Sequence, residues 1–461
     1  MSSDALERVS LADLLHDGLF TDGDWVETKD QDPDGDVRLI QLADIGDGVF
    51  RDRSARFLTM SKALELRCTF LEPSDVLVAR MPEPLGRACL FPGVGQPAVT
   101  VVDVCVLRPN RSRVRADWLT TTINAPEFRS SMHRFVRGTT RQRISRKNLG
   151  GLELTLVDLD RQEEIALRVD RIAEATRRTG GHLDASRVAL RLSRQAILTA
   201  ACSGRMTKAW REINEMEPVR MALTQFVAHR ANVPRGKKSP PFEPDTLPDL
   251  PDSWTWTDLD SLAADKPNAL KAGPFGSSLT KAMYTETGFK VYGQEQVIAG
   301  DAGLDTYFIG PAKFAELKSC AVSPGEILIS LVGTIGKTLI LPEDSEPGVI
   351  NPRLIRLDLD RALIHPEYMS LVLESPLTHS YYRRSAQGST MEILNLQILR
   401  GIPIPLPPMD EQLEILDRAS HYAEIVDAVT LNVARCRASV ERSSGAVLSK
   451  AFRGELLQAP S

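Results

Sequence analysis

Between Phe128 and Leu152 the chain carries seven cations and no Asp or Glu: Arg129, Arg134, Arg137, Arg141, Arg143, Arg146 and Lys147. Arg111, Arg113 and Arg115 come just before. Charges of one sign repel each other unless a polyanion compensates them, so this run predicts phosphate contact. The bland alternative is a solvated surface face. Inside the run, "GTTRQR" places Thr140, Arg141, Gln142 and Arg143 together. Arg can pair with guanine and Gln with adenine in the major groove. A second set lies in "RRSAQGSTMEI": Arg383, Arg384, Gln387, Ser389 and Thr390. A Gly-rich loop holds Lys271, Ser277, Ser278, Lys281 and Tyr284, with Lys290 and Gln294 on or beside the next strand. There Gly273 and Gly276 allow a close approach to a backbone. Near the N-terminus the loop from Trp25 to Asp36 holds Lys29 and Gln31, followed by Arg38 and Gln41. Lys and Arg would mostly position phosphates, while Gln and some Arg would read bases.

Other chemistry fits less well. "GTIGKT" at Gly333 resembles a phosphate loop, but the Gly required five residues before Gly336 is Leu331. "DQDPDG" at Asp30 begins like a calcium loop, yet Pro33 intrudes and the twelfth position is Gln41 rather than Glu. "INPRL" at Ile350 lacks the second Pro and the aromatic of an amino-methyltransferase motif. The six cysteines form no C-x-x-C pair and the seven histidines no H-x-x-x-H. Metal clusters and a disulfide framework are therefore not expected, and a reducing cytoplasm fits.

At 461 residues the chain is long enough for two to four domains. With 42% hydrophobic and 25% charged residues it has the composition of a soluble globular protein. No apolar run approaches the ~20 residues that span a bilayer, so no membrane role is expected. The net charge of −5 excludes a uniformly basic surface but not a local basic groove.

A repeat organises these elements. "LVDLDRQEEI" from Leu156 and "LPPMDEQLEI" from Leu406 share Leu, Asp, Gln, Glu and Ile at an offset of 250 residues, as from Gln162 to Gln412. The offset persists: Gly138 falls on Gly388, Thr140 on Thr390, Leu149 on Leu399 and Gly204 on Gly454. "EPSDVLVAR" matches "SPGEILISL" at 251, so one residue was gained or lost between. Each copy starts with short β-branched runs separated by Gly, Pro and Asp, which predicts strands and tight turns. Each copy then enters a long helix. Ile415, Ala419, Tyr422, Val426, Val429, Val433, Cys436 and Val440 step by fours and threes, a heptad seam. Asp410 is the expected N-cap. The first helix has Ile165, Val169 and Ile172, then Thr176 and Thr179, and resumes at Leu183, Leu190 and Ile197. Gly180–Gly181 predicts a break or kink, because each Gly costs ~1 kcal/mol inside a helix. Antiparallel pairing within the chain avoids the entropy of joining two chains.

The expected organisation is a mixed α+β chain with a pseudo-twofold internal repeat. Residues 1–157 and 253–407 form two strand-rich domains. Residues 158–204 and 408–456 form two antiparallel coiled-coil helices. Residues 205–252 supply extra helices and a Pro-rich linker.

The motifs carry a family resemblance. "GIPIPLPPMDEQLEIL", "SKAFRGELL" and "AACSGRMTKAWRE" resemble specificity subunits of type I restriction–modification enzymes. "FGSSLTKAMYTETGFKVYGQEQV" with "ISLVGTIGKTLILP" resembles one target-recognition domain of that family, and "DGDWVETKDQDPDGDVRLIQLADIGDGVF" another. "VDLD" in place of "PPMD" at the first junction departs from the pattern. The resemblance implies a non-catalytic, cytoplasmic chain in which each domain reads one half of a split site in double-stranded DNA. It also implies helices that set the spacer and dock two methyltransferase subunits, with restriction (nuclease–translocase) subunits joining them. No cofactor is expected on this chain; S-adenosylmethionine is expected on the methyltransferase. A scaffold that has lost DNA recognition and a nucleotide hydrolase built on Gly336–Thr338 are the competing readings.

Overall fold

The computed structural model describes residues 7–81, 84–136, 143–229, 247–331, 335–385 and 395–456. The chain divides into two compact units, Met1–Ala185 with Val433–Ser461, and Ser186–Asn432.

In the first unit β1 (Glu7–Ser10) pairs antiparallel with β9 (Glu153–Leu156), beside the point where the long helix begins. A four-stranded antiparallel sheet follows the order β2 (Leu19–Asp22), β8 (Val104–Arg108), β5 (Val76–Ala79), β6 (Ala88–Leu90). A three-stranded sheet has β3 (Val37–Ile40) between β4 (Phe57–Leu58) and β7 (Ala98–Thr100). All four residues of β5 are buried. Val76 and Val78 face the cluster that holds Trp118 and Phe128, whereas Leu77 and Ala79 face the cluster around Ile40 and Phe91. Side chains alternate along a strand, so "VLVA" reads as an unbroken apolar run because both faces are covered.

The second unit repeats this plan strand for strand. β10 (Thr255–Thr257) pairs with β18 (Ile404–Leu406). The four-stranded order is β11 (Leu270–Ala272), β17 (Leu354–Leu357), β14 (Ile327–Ser330), β15 (Thr338–Ile340). In the other sheet β12 (Phe289–Tyr292) lies between β13 (Tyr307–Ile309) and β16 (Gly348–Ile350). Again Ile327 and Ile329 face one cluster and Leu328 the other. Ser74 and Gly325, 251 residues apart, both adopt positive φ, 78° and 77°. The same turn precedes β5 and β14, and only the second copy fills it with glycine.

Both long helices form, Leu159–Cys202 and Met409–Phe452, each of 44 residues. Each would extend ~66 Å at the helical rise. In the first unit the start of one lies beside the end of the other: Val447, Leu448 and Phe452 pack on the cluster that contains Ile165, Ala166 and Val169. Arg437 pairs there with Asp184, and Arg168 donates to the Leu456 carbonyl at 3.2 Å. In the second unit Ile415 shares a cluster with Ala201 and Cys202, Arg194 pairs with Asp427, and Arg418 donates to the Met206 carbonyl at 2.9 Å. The pairing is antiparallel in each unit.

Three expectations for these helices change. The first helix is not broken at Gly180–Gly181 but runs through both. Glycine keeps its N–H, so the hydrogen-bond ladder is intact, and the long flanks outweigh its low propensity. Of the seam positions, Ile165, Val169, Ile415 and Ala419 near the helix starts are buried, and so is Val426 further along. Tyr422 is 48% and Val429 42% exposed, Ile172 is exposed, and Val433 and Val440 are half-buried. At Ile165, Val169 and Ile415 the domain core packed at the helix start covers what one neighbouring helix leaves open. Asp410 is not the N-cap: it lies in the first turn of a helix that starts at Met409.

Candidate nucleic-acid interface

Each domain is fixed to its helix by the glutamine of the repeated junction. Gln162 is fully buried. Its Oε1 accepts from the Arg115 N–H at 2.7 Å, and its Nε2 donates to the carbonyls of Arg113 and Val157 at 3.1 and 2.8 Å. Gln412 does the same 250 residues later. It accepts from His365 N–H at 2.8 Å and donates to Leu363 and Pro407 at 2.9 and 3.0 Å. An amide is required, since only it offers an acceptor and two donors together. The neighbouring positions differ. In the first junction Asp158 caps the helix by accepting from Arg161 N–H at 2.8 Å. In the second, buried Glu411 accepts from Thr207 Oγ1 at 2.6 Å and Trp254 Nε1 at 2.7 Å, and pairs with Arg211. This ties the helix start to the inserted segment.

The basic run forms one wall of an open cleft of about 760 Å³ in the first unit. Arg143, Arg146 and Lys147 line it with Trp25, Phe20 and Arg80. The run is held to the sheet by Ile144 N–H, which donates to the Arg80 carbonyl at 3.1 Å. Ser145 then caps a short helix by accepting from Asn148 N–H at 3.2 Å. Arg146 and Lys147 are exposed on that helix. Arg80 is buried and already paired with Asp22 at 3.1 Å. Among the described residues Arg143 pairs with Asp103 alone, at 3.9 Å, and the Arg143 side chain is 56% exposed. A pair so long and so wet is worth little, so its guanidinium is available to an anion.

The remaining candidates separate into available and committed groups. Arg134 is exposed. Arg111 and Arg113 are exposed in the loop that Gln162 clamps, and they are not among the cleft-lining residues. Lys29 is exposed but bonded to Glu27 at 2.7 Å. Gln31 accepts from Arg56 at 3.4 Å. Arg38 is half-buried, pairs with Asp52 at 2.8 Å and lies 5.2 Å from the Phe57 ring. Gln41 donates its backbone N–H to buried Asp44 at 2.8 Å, next to a turn that the same carboxylate organises through Arg53 and Ser54. Arg137, Thr140, Arg141 and Gln142 lie outside the described residues.

In the second unit Ser277, Ser278 and Lys281 are exposed and Lys271 is half-buried on β11. Tyr284 stacks on Tyr307, with ring centres 4.4 Å apart. Two candidates are corrected. Lys290 is 2% exposed, with its ammonium bonded to Glu346 at 2.9 Å, and Gln294 is buried. Lys290 lies on β12 and Gln294 opens the short helix Gln294–Ala299 that follows it, and the burial of each is set by packing that residue type alone does not reveal. Arg383 is exposed; the side chain of Arg384, and Gln387, Ser389 and Thr390, lie outside the described residues. β14 and β15, on either side of the "GTIGKT" stretch, pair antiparallel, and residues 332–334 lie outside the described residues. Trp25 and Phe275, both strongly exposed, were not among the sequence candidates. Their 250-residue offset was the signal that marks them.

Comparison with known proteins places these features. Residues 281–430 match the type I restriction modification DNA specificity domain. The chain is 24% identical over 333 residues to the type I restriction enzyme EcoBI specificity subunit of Escherichia coli, across 72% of this chain and 64% of that one. It is 23% identical over 332 residues to the EcoDI specificity subunit of the same species, across 69% and 66%. The matched region thus spans just under two thirds of each relative. In fold it resembles a chain from a type I R-M system solved to explain complex assembly and conformational transition, with a TM-score of 0.67, 17% identity, and 98% and 99% of the two chains covered. It also resembles the HsdS subunit from Thermoanaerobacter tengcongensis, with a TM-score of 0.50, 17% identity and 98% of both chains covered.

Proposed function

We propose that this chain is a type I restriction enzyme specificity subunit, that it reads a bipartite sequence in double-stranded DNA, and that it catalyses nothing itself. The observation that carries this is the repeat made physical. Two domains of one topology, each with nine strands among the described residues, are each clamped by an equivalent glutamine to a long helix. Two equivalent readers suit a target in two parts. The open cleft with Arg143, Arg146 and Lys147 supports backbone contact by the first domain, and exposed Ser277, Ser278 and Lys281 support it in the second.

The helices serve as spacer and docking surface. Exposed Val188, Leu192, Tyr422, Ile425 and Val429 in the second unit, and Leu167 and Ile172 in the first, support docking of protein partners. Those partners are two methyltransferase subunits, which carry S-adenosylmethionine, with restriction subunits joining for cleavage. The complex methylates adenine. Among the described residues no helix is long and apolar enough to cross a membrane. The reading is tested by supplying the chain with and without its methyltransferase partner and mapping methylated adenines. Methylation of one split sequence should appear only with both. Methyl transfer by the chain alone would contradict the non-catalytic role. A complex that assembles but shows no salt-dependent DNA binding would point to a scaffold instead.

A further inference from the structure

Two aromatic side chains stand in solvent at the same place in the repeat. Trp25 is 68% and Phe275 84% exposed, and they are separated by the repeat offset of 250. Their backbones are anchored alike. Gly23 N–H donates to the Val104 carbonyl at 2.8 Å, and Gly273 N–H to the Leu354 carbonyl at 2.9 Å. A Cβ on Gly23 would collide with the carbonyl of Val101, and one on Gly273 with the equivalent carbonyl of Asn351. Each aromatic therefore projects from a chain segment fixed tightly against the sheet. A lone exposed aromatic is commonplace. The same position filled by an aromatic in both copies, which share few residues elsewhere, calls for a use.

The surroundings indicate the use. Trp25 lines the open cleft with Arg143, Arg146 and Lys147. Phe275 is followed within six residues by exposed Ser277, Ser278 and Lys281. A ring beside cations and hydroxyls meets a base face where its neighbours meet phosphates. We propose that Trp25 and Phe275 are the paired stacking residues of the two domains, each unstacking one base step of its own half-site. This rests on the DNA-recognition reading above and adds the residue that deforms the duplex.

The test uses the full chain assembled with its methyltransferase partner and a duplex bearing the split sequence that this complex methylates. Binding is measured by fluorescence anisotropy over a range of salt concentrations. Trp25→Ala and Phe275→Ala should each bind roughly tenfold or more weakly. The slope of log affinity against log salt should not change, because a neutral ring releases no counterion. Trp25→Phe and Phe275→Trp should retain most of the affinity. With 2-aminopurine scanned along the duplex, each alanine variant should lose an unstacking signal in one half-site only. Wild-type affinity in both alanine variants would overturn the proposal. So would loss of the methyltransferase partner from the variants in the absence of DNA, which would make the rings protein-docking groups. If the wild-type complex itself shows no salt-dependent binding, the DNA-recognition reading fails and takes this inference with it.

Discussion

One fully buried side chain, Gln162, satisfies three backbone groups at once. Gln162→Ala would leave an N–H and two carbonyls without partners, at a cost of about 3 kcal/mol after local relaxation. Gln162→Glu should be no better, because it keeps the acceptor but turns the donor toward two carbonyls into another acceptor. Urea unfolding of the two variants checks this, and a stable glutamate variant would refute the clamp. Asp24, next to Trp25, makes a second case. Burial raises its carboxyl from 3.8 to about 6, against the pull of the Thr69 N–H and the Cys68 thiol. The folded state thus favours the protonated form. That stabilisation is present below the unfolded value and is lost as pH rises through about 6. Relative to wild type, Asp24→Asn should therefore gain thermal stability between pH 4 and about 6 and hold a constant difference above it. A difference that does not vary with pH would show that burial leaves this carboxyl unperturbed. Arg143, Arg146 and Lys147 of the acid-free run are exposed, whereas Arg129 of the same run finds a partner in Asp47, far away in sequence. Residue type misplaced Lys290, whose partner Glu346 is distant in sequence and meets it only through the fold.

The long helices show how far periodicity reaches as evidence. Their start was legible in the doubled junction, and their length in the absence of proline. The double glycine misled, since propensity is a local cost that a long helix absorbs. A Cβ at Gly180 or Gly181 would meet nothing within 4 Å. Gly180→Ala and Gly181→Ala should each stabilise the protein by up to ~1 kcal/mol in urea unfolding; destabilisation would mean that the helix needs flexibility there. The seam also overstated burial, because a heptad pattern gives the facing side but not what covers it. Ile415→Ala, at a fully buried position, should cost roughly 2–5 kcal/mol. Val429→Ala, at an exposed one, should stay within about 0.5 kcal/mol. Asp184 and Arg437 mark one level of the helix pair. Four residues added to both helices at that level lengthen the pair by ~6 Å. The expected result in the methylated sequence is a spacer longer by one or two base pairs, at ~3.4 Å each, with both half-sites unchanged. Altered half-sites with the old spacer would remove the spacer role.

At the scale of the whole molecule, two domains of one topology arose with few shared residues, and the sequence showed this because register survives when identity does not. Strand order, the Gln clamps and the anchored glycines all obey the same offset. The bases each domain reads were not legible, since base choice depends on a few loop side chains and on the duplex geometry they meet. Modularity is the central claim, and one measurement tests it most directly. Residues 253–407 are replaced by the matching domain of a relative with a known target, and the methylated sites are mapped in cells that supply the methyltransferase partner. The account predicts a new split sequence in which one half-site is exchanged while the other half-site and the spacer stay as before. A change in both half-sites, or in neither, would contradict it.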